Sequence, residues 1–179
     1  MAIMNKIHLV NHSVSFIDYP NPNVWSTIYF FTGCSHNCKS CQNKDLQNYN
    51  QGIKYNVDDF FELIKENCEK NHSKYVVLSG GDPLYFKNIE FTKEILLKCK
   101  ENSINVCVYT GFDIEYVKNN NVKGFQFIKC GTFDENNKLK SGMTDEYFQL
   151  ASPNQNFYND KYEQLSENGK MMFERNEND

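Results

Sequence analysis

Four runs rich in β-branched and aromatic residues, at 24–32, 75–78, 104–109 and 125–128, are each followed closely by a loop signal that includes glycine. These runs are the expected core strands. Between the first and second, Asp58, Phe60, Phe61, Leu63, Ile64 and Cys68 recur at three-to-four-residue spacing, and between the second and third Ile89, Phe91, Ile95, Leu96 and Cys99 do the same. Both patterns read as amphipathic helices. Strands that alternate with helices imply right-handed βαβ units and a parallel sheet, with the chemistry carried by the loops after the strands' C-terminal ends.

A complete eight-unit barrel takes about 250 residues, whereas this chain has 179, so the expected fold is α/β, a partial (β/α) barrel open on one side. A hydrophobic share of 40% is enough for one core, which puts a single domain at 1–168 and a polar, frayed tail at 169–179. Residues 6–18 read as an extra hairpin or edge element, and 155–158 as a late strand. The net charge is −4 and the sole arginine is Arg175, an arrangement that lacks the clustered cations of a nucleic-acid surface. No run reaches the roughly 18 apolar residues of a membrane span, and no export signal is evident at the N-terminus, so a cytoplasmic protein is expected.

Seven cysteines in such a chain argue for thiols, metal or catalysis rather than disulfides. Three of them are clustered in Phe31-Thr32-Gly33-Cys34-Ser35-His36-Asn37-Cys38-Lys39-Ser40-Cys41-Gln42-Asn43, directly after the first core strand. A loop this tight can wrap one metal centre, and thiolates select zinc or iron–sulfur. Structural zinc takes four protein ligands, so it would have to recruit His36, His72 or a distant cysteine; no second Cys-x-x-Cys pair supplies one. A four-iron cube held by Cys34, Cys38 and Cys41 instead leaves one iron open for a small molecule.

The spacing Cys-x-x-x-Cys-x-x-Cys, with its preceding strand and glycine, resembles the radical S-adenosylmethionine superfamily. The resemblance implies a [4Fe–4S] cluster on Cys34, Cys38 and Cys41, with S-adenosylmethionine chelated at the open iron and cleaved reductively to methionine and a 5′-deoxyadenosyl radical. Many members carry an aromatic residue before the third cysteine to contact adenine. Here Ser40 stands there, so backbone or other residues must hold the base.

After the second core strand comes Ser79-Gly80-Gly81-Asp82-Pro83-Leu84. Paired glycines allow a close backbone approach to a ligand, and Asp82 can accept hydrogen bonds from a cationic amino group. This form is similar to the loop of the activating proteins of anaerobic ribonucleoside-triphosphate reductase. Asp18-Tyr19-Pro20, Tyr109-Thr110-Gly111-Phe112, Lys129-Cys130-Gly131 and Ser152-Pro153-Asn154-Gln155 also fit that family of glycyl-radical-enzyme activases. The resemblance spans about residues 15–158.

It further implies that Ser40, Gln42, Asn43, Gly80, Gly81, Asp82, Tyr109 and Thr110 line the cofactor site; Lys129, at the C-terminal end of a strand, reads as an active-site charge that meets a carboxylate or an adenosyl hydroxyl rather than as a solvated rim lysine. Cys68, Cys99 and Cys107 read as core residues, Cys130 as a residue at a strand end near the site, and His36 as exposed or outside the metal's own ligands. The expected activity is radical generation on one glycine of a large glycyl-radical enzyme subunit, foremost the anaerobic reductase, fed by a flavodoxin- or ferredoxin-type reductant. Two rivals stand beside it. One is a small-molecule radical enzyme such as 7-carboxy-7-deazaguanine synthase, which usually adds a magnesium site and basic anchoring residues, and the other is a non-catalytic zinc-binding interaction module.

Overall fold

The computed structural model describes residues 6–174. In chain order the elements are β1 (Lys6–Ser15), β2 (Ser26–Phe31), β3 (Ile53–Asn56), α1 (Val57–Lys70), β4 (Tyr75–Gly80), α2 (Ile89–Glu101), β5 (Asn105–Tyr109), α3 (Ile114–Asn119), β6 (Phe127–Cys130), β7 (Gly142–Met143), β8 (Tyr147–Gln149), β9 (Asn156–Asn159), β10 (Ser166–Glu167) and β11 (Lys170–Met172). Seven strands form one sheet in the order β3-β1-β2-β4-β5-β6-β9. Its centre, β2-β4-β5-β6, is parallel, while β1 and β3 at one side and β9 at the other are antiparallel. The fold is therefore α/β on a mixed, open sheet.

Strand alternation sends successive side chains to opposite faces, and the two faces carry separate cores. Tyr29, Phe31, Val76, Leu78, Val106, Val108, Ile128 and Cys130 join the apolar sides of α1 and α2 on one face. Ile28, Val77 and Cys107 point the other way and pack against Tyr19, Phe148, Phe157 and Met171. Burial on both faces explains why these strands read as continuous apolar runs in sequence.

Helix α1 starts where Asn56 Oδ1 accepts the Asp59 amide at 2.8 Å, with Asp58 and Asp59 in the first turn and Lys70 in the last. Of the stripe its periodicity predicts, Phe60, Phe61, Ile64 and Cys68 are buried, while Leu63 is half-buried and Asp58 is exposed in the first turn, its neighbour Val57 turning inward instead. Helix α2 buries Ile89, Phe91, Ile95, Leu96 and Cys99 in the same way. The six-residue α3 was not expected from periodicity, because only Val117 is buried; its signal is Asp113, which accepts the Tyr116 amide at 2.8 Å.

The expected frayed tail is corrected over residues 169–174, while 175–179 lie outside the described residues. Strand β11 pairs with β8 in a second sheet, β10-β11-β8-β7, and its Met171 is buried. Backbone pairing and one buried side chain hold this segment, and neither leaves a periodic apolar pattern in so short a strand.

Phe60 is fully buried and meets Tyr29, Phe31, Tyr55 and Phe91 with ring centroids 5.2–6.0 Å apart. Phe60→Ala is expected to lower the unfolding free energy by about 3–5 kcal/mol, read from urea unfolding.

Candidate metal centre

β2 delivers the chain at Gly33 into the cysteine loop, which closes when the Gly33 amide donates to the Leu46 carbonyl at 2.8 Å. Leu46 lies in a 3-10 turn, Lys44–Gln47. Within the loop the Cys41 amide donates to the Cys38 carbonyl at 3.2 Å. Cys34, Cys38 and Cys41 are free thiols, each half-buried. The sulfur of Cys34, a ring nitrogen of His36 and a carboxylate oxygen of Asp82 all lie within 4.8 Å of one another.

The Gly80-Gly81-Asp82 loop rests directly on this junction. The Gly81 amide donates to the Phe31 carbonyl at 2.7 Å, and the Asp82 amide to the Gly33 carbonyl at 2.8 Å. A Cβ at Gly80, where φ is +105°, would lie 2.5 Å from the Phe31 backbone; one at Gly81 would lie 2.6 Å from the Gly33 carbonyl oxygen. The glycines thus let one loop's backbone touch the other's, a close approach whose partner is protein. Fully buried Asn88 clamps the pair, its amide donating to the Thr32 and Asp82 carbonyls, both at 2.9 Å.

Asp82 is 1% exposed, and its oxygens accept from four groups. These are the Leu84 amide at 2.8 Å, the Thr110 hydroxyl at 2.9 Å, the Gly111 amide at 2.9 Å and His36 Nε2 at 2.8 Å. The sequence reading assigned Asp82 and Thr110 to a cofactor; the structure brings them together with each other and with His36. His36, expected exposed or peripheral, has a side chain 14% exposed and sits edge-on to Phe112 at 4.4 Å between centroids. Only its place between two cysteines hinted at this.

Tyr109 and Lys129 are paired neighbours on β5 and β6 and project from the same sheet face. The Lys129 ammonium lies 5.6 Å from the Tyr109 ring centre and 3.3 Å from the Gly131 carbonyl. Burial lowers its pKa, against the opposing pull of Asp82 and the thiols of Cys130, Cys38 and Cys107. The Tyr109 hydroxyl donates to the Asp18 carbonyl at 2.6 Å, which ties the Asp18-Tyr19-Pro20 turn to the sheet. Gln42 is exposed, while Ser40 and Asn43 are half-buried beside the third cysteine. Cys130 is buried in the helix-side core, on the face opposite Lys129, so its closeness along the chain does not bring it to the site.

The donor set fits a cationic iron–sulfur centre. Burial pushes the Cys34 thiol up to about 11, and Asp82, Cys38 and Cys41 add to the rise against the stabilising His36 amide. The Cys34 thiol thus resists ionisation; a soft cation beside it relieves that resistance.

Residues 24–149 match the family described as the 4Fe-4S single cluster domain, and the chain belongs to that family. An anaerobic ribonucleoside-triphosphate reductase-activating protein of Enterobacteria phage T4 is 28% identical over 103 residues, covering 56% of this chain and 65% of that protein. A pyruvate formate-lyase 1-activating enzyme of Escherichia coli K12 is 30% identical over 122 residues, covering 65% and 46%. The chain thus spans less than two thirds of either relative's length. The crystal structure of QueE from Escherichia coli overlaps with a TM-score of 0.44 at 14% identity, over 60% of this chain and 52% of that one.

Gly81→Ala is expected to cost about 1–3 kcal/mol in urea unfolding, because the methyl must separate the two loops. In the metal-free protein, alkylation of Cys34 at pH 8 should run at least roughly tenfold slower than that of an unperturbed thiol, since less of it is thiolate. Peptide mass spectrometry after timed iodoacetamide reads the rate.

Proposed function

We propose that this protein is a radical S-adenosylmethionine activase that generates a glycyl radical on a partner enzyme. The observation that carries this reading is the direct seating of the cysteine loop on the Gly80-Gly81-Asp82 loop at the C-terminal ends of β2 and β4. The names of the two relatives support it. One is named for activating an anaerobic reductase and the other for activating a lyase, in line with the resemblance drawn from sequence.

In this reading Cys34, Cys38 and Cys41 hold a [4Fe–4S] cluster and leave one iron free. When bound, the reduced cluster supplies the electron that splits the S–C5′ bond of S-adenosylmethionine into methionine and a 5′-deoxyadenosyl radical, which takes a Cα hydrogen atom from a glycine. Lys129 is the residue proposed to meet the cofactor's carboxylate: its ammonium is partly desolvated and has one long hydrogen bond, so an anion there gains most. Asp82 and Thr110 stand behind the loop and fix it, because the Asp82 oxygens already accept four hydrogen bonds. The methionyl amino group is then assigned to the carbonyl groups of the Gly80-Gly81 backbone. Ser40, Gln42 and Asn43 border the third cysteine, where the adenine is proposed to lie, and the Tyr109 ring walls the far side.

The substrate proposed is a backbone loop of a large glycyl-radical subunit, foremost the anaerobic ribonucleoside-triphosphate reductase. The open sheet supports a protein substrate. Its edge strands β3 and β9 do not pair, as in a partial (β/α) barrel with a lateral gap. A flavodoxin- or ferredoxin-type donor would return the electron, and the setting proposed is the cytoplasm. Among the described residues no helix is long and apolar enough to cross a membrane.

Anaerobically reconstituted protein with dithionite and S-adenosylmethionine is expected to release 5′-deoxyadenosine and, with the reductase subunit, to give a glycyl doublet by electron paramagnetic resonance. Alanine at Cys34, Cys38 or Cys41 should bring both signals to background. Release of 5′-deoxyadenosine with no protein radical on any glycyl-radical subunit would sink the activase reading and leave the cofactor chemistry standing. A colourless protein carrying zinc and no iron would remove both.

A further inference from the structure

His36 is the one side chain of the cysteine loop that reaches across to both neighbouring strand-end loops. Its Nε2 lies 2.8 Å from Asp82 Oδ2, in the loop after β4. On the β5 side, the space where a Cβ of Gly111 would lie is 2.4 Å from His36 Cδ2, and the Phe112 ring stands edge-on to the imidazole. Phe112 in turn stacks on Tyr116 at 3.8 Å, with planes 10° apart, and the Tyr116 hydroxyl donates to the Leu84 carbonyl at 3.3 Å. The imidazole therefore closes a ring of contacts through the loops after β2, β4 and β5. Its backbone amide also supports the Cys34 thiol.

A loop holding three metal-ligating thiols has few hydrogen bonds of its own; the Gly33–Leu46 closure is at its base and the Cys41–Cys38 turn lies within it. Between them only His36 bonds by its side chain to a buried group. A buried carboxylate fixed by two amides and a hydroxyl is a rigid anchor for such a bond, since none of those donors can turn away without losing its own partner.

We propose that His36 is a positioning residue: through Asp82, Gly111 and Phe112 it sets the orientation of the cysteine loop, and so how Cys34, Cys38 and Cys41 are presented toward the Gly80-Gly81 backbone and Lys129. This rests on the reading of the loop as a three-cysteine [4Fe–4S] site. His36 is not a ligand of the cluster. It acts on the cofactor only through the loop that carries the cysteines, in the way that outer hydrogen bonds orient metal ligands.

The test uses the full chain, reconstituted anaerobically, as wild type, His36→Ala, His36→Gln and Gly111→Ala. Iron and sulfide per chain are measured, then the electron paramagnetic resonance spectrum of the dithionite-reduced cluster, without and with graded S-adenosylmethionine. His36→Ala is expected to keep wild-type iron, to show broadened g-values before any cofactor is added, and to need roughly tenfold more S-adenosylmethionine for half of the spectral change. His36→Gln, whose amide can still donate to Asp82, should recover most of the wild-type response. Gly111→Ala keeps the imidazole but displaces it, and should resemble His36→Ala.

The proposal is overturned if His36→Ala matches wild type in both spectrum and midpoint, or if His36→Gln is no better than His36→Ala. It is also overturned if both His36 variants lose iron, which would make the residue a ligand or a folding requirement. A wild-type cluster that ignores S-adenosylmethionine refutes the parent reading instead. The cofactor-free spectra of wild type and His36→Ala then still decide the role of His36.

Discussion

Asp82 is the group on which the rest of the site depends. A carboxylate with 1% exposure is tolerated only when its oxygens are satisfied, and here an amide of its own loop, the Thr110 hydroxyl and Gly111 amide of the next loop, and the imidazole of the cysteine loop satisfy them. Three strand-end loops are thereby fixed to one buried charge. The backbone contacts of Gly80 and Gly81 with Phe31 and Gly33 add a second connection between two of the same loops. What looks like a cofactor loop in isolation is also the frame that holds the thiols.

The frame in turn depends on the sheet. Parallel pairing of β2 with β4 and of β4 with β5 puts the ends of all three strands at one edge, so residues far apart in sequence meet without any long connection. The two apolar faces keep these strands in place, helices covering one and the small second sheet with Tyr19 and Phe157 covering the other. Tyr19, buried against Tyr75 and Phe127 with its hydroxyl bonded to Gln126, anchors the turn whose Asp18 carbonyl receives Tyr109. Packing beneath the site and hydrogen bonding at its rim are thus one continuous structure.

Much of this was legible in the sequence, and the limits have physical causes. The four core strands, α1, α2 and the late strand β9 carry burial patterns long or apolar enough to read, and Cys68, Cys99 and Cys107 sit in the core as their spacing implied. Strands β7, β8, β10 and β11, of two or three residues, and α3, with one buried side chain, fall below the length at which periodicity speaks. At the site, the cysteine spacing and the glycine pair identified which segments matter. The partners of Asp82 were not readable, because Thr110, Gly111 and His36 come from other loops and a hydrogen bond across 28 or 46 positions leaves no local pattern. Lys129 was placed by its strand end alone, and parity along β6 is what separates it from Cys130 on the opposite face.

The central claim is that three cysteines hold a four-iron cube with one iron left for S-adenosylmethionine. Mössbauer spectra of protein reconstituted with iron-57 test it most directly. The account predicts that adding S-adenosylmethionine shifts the signal of one iron site and leaves the other three unchanged. Four sites that respond alike, or not at all, would contradict it.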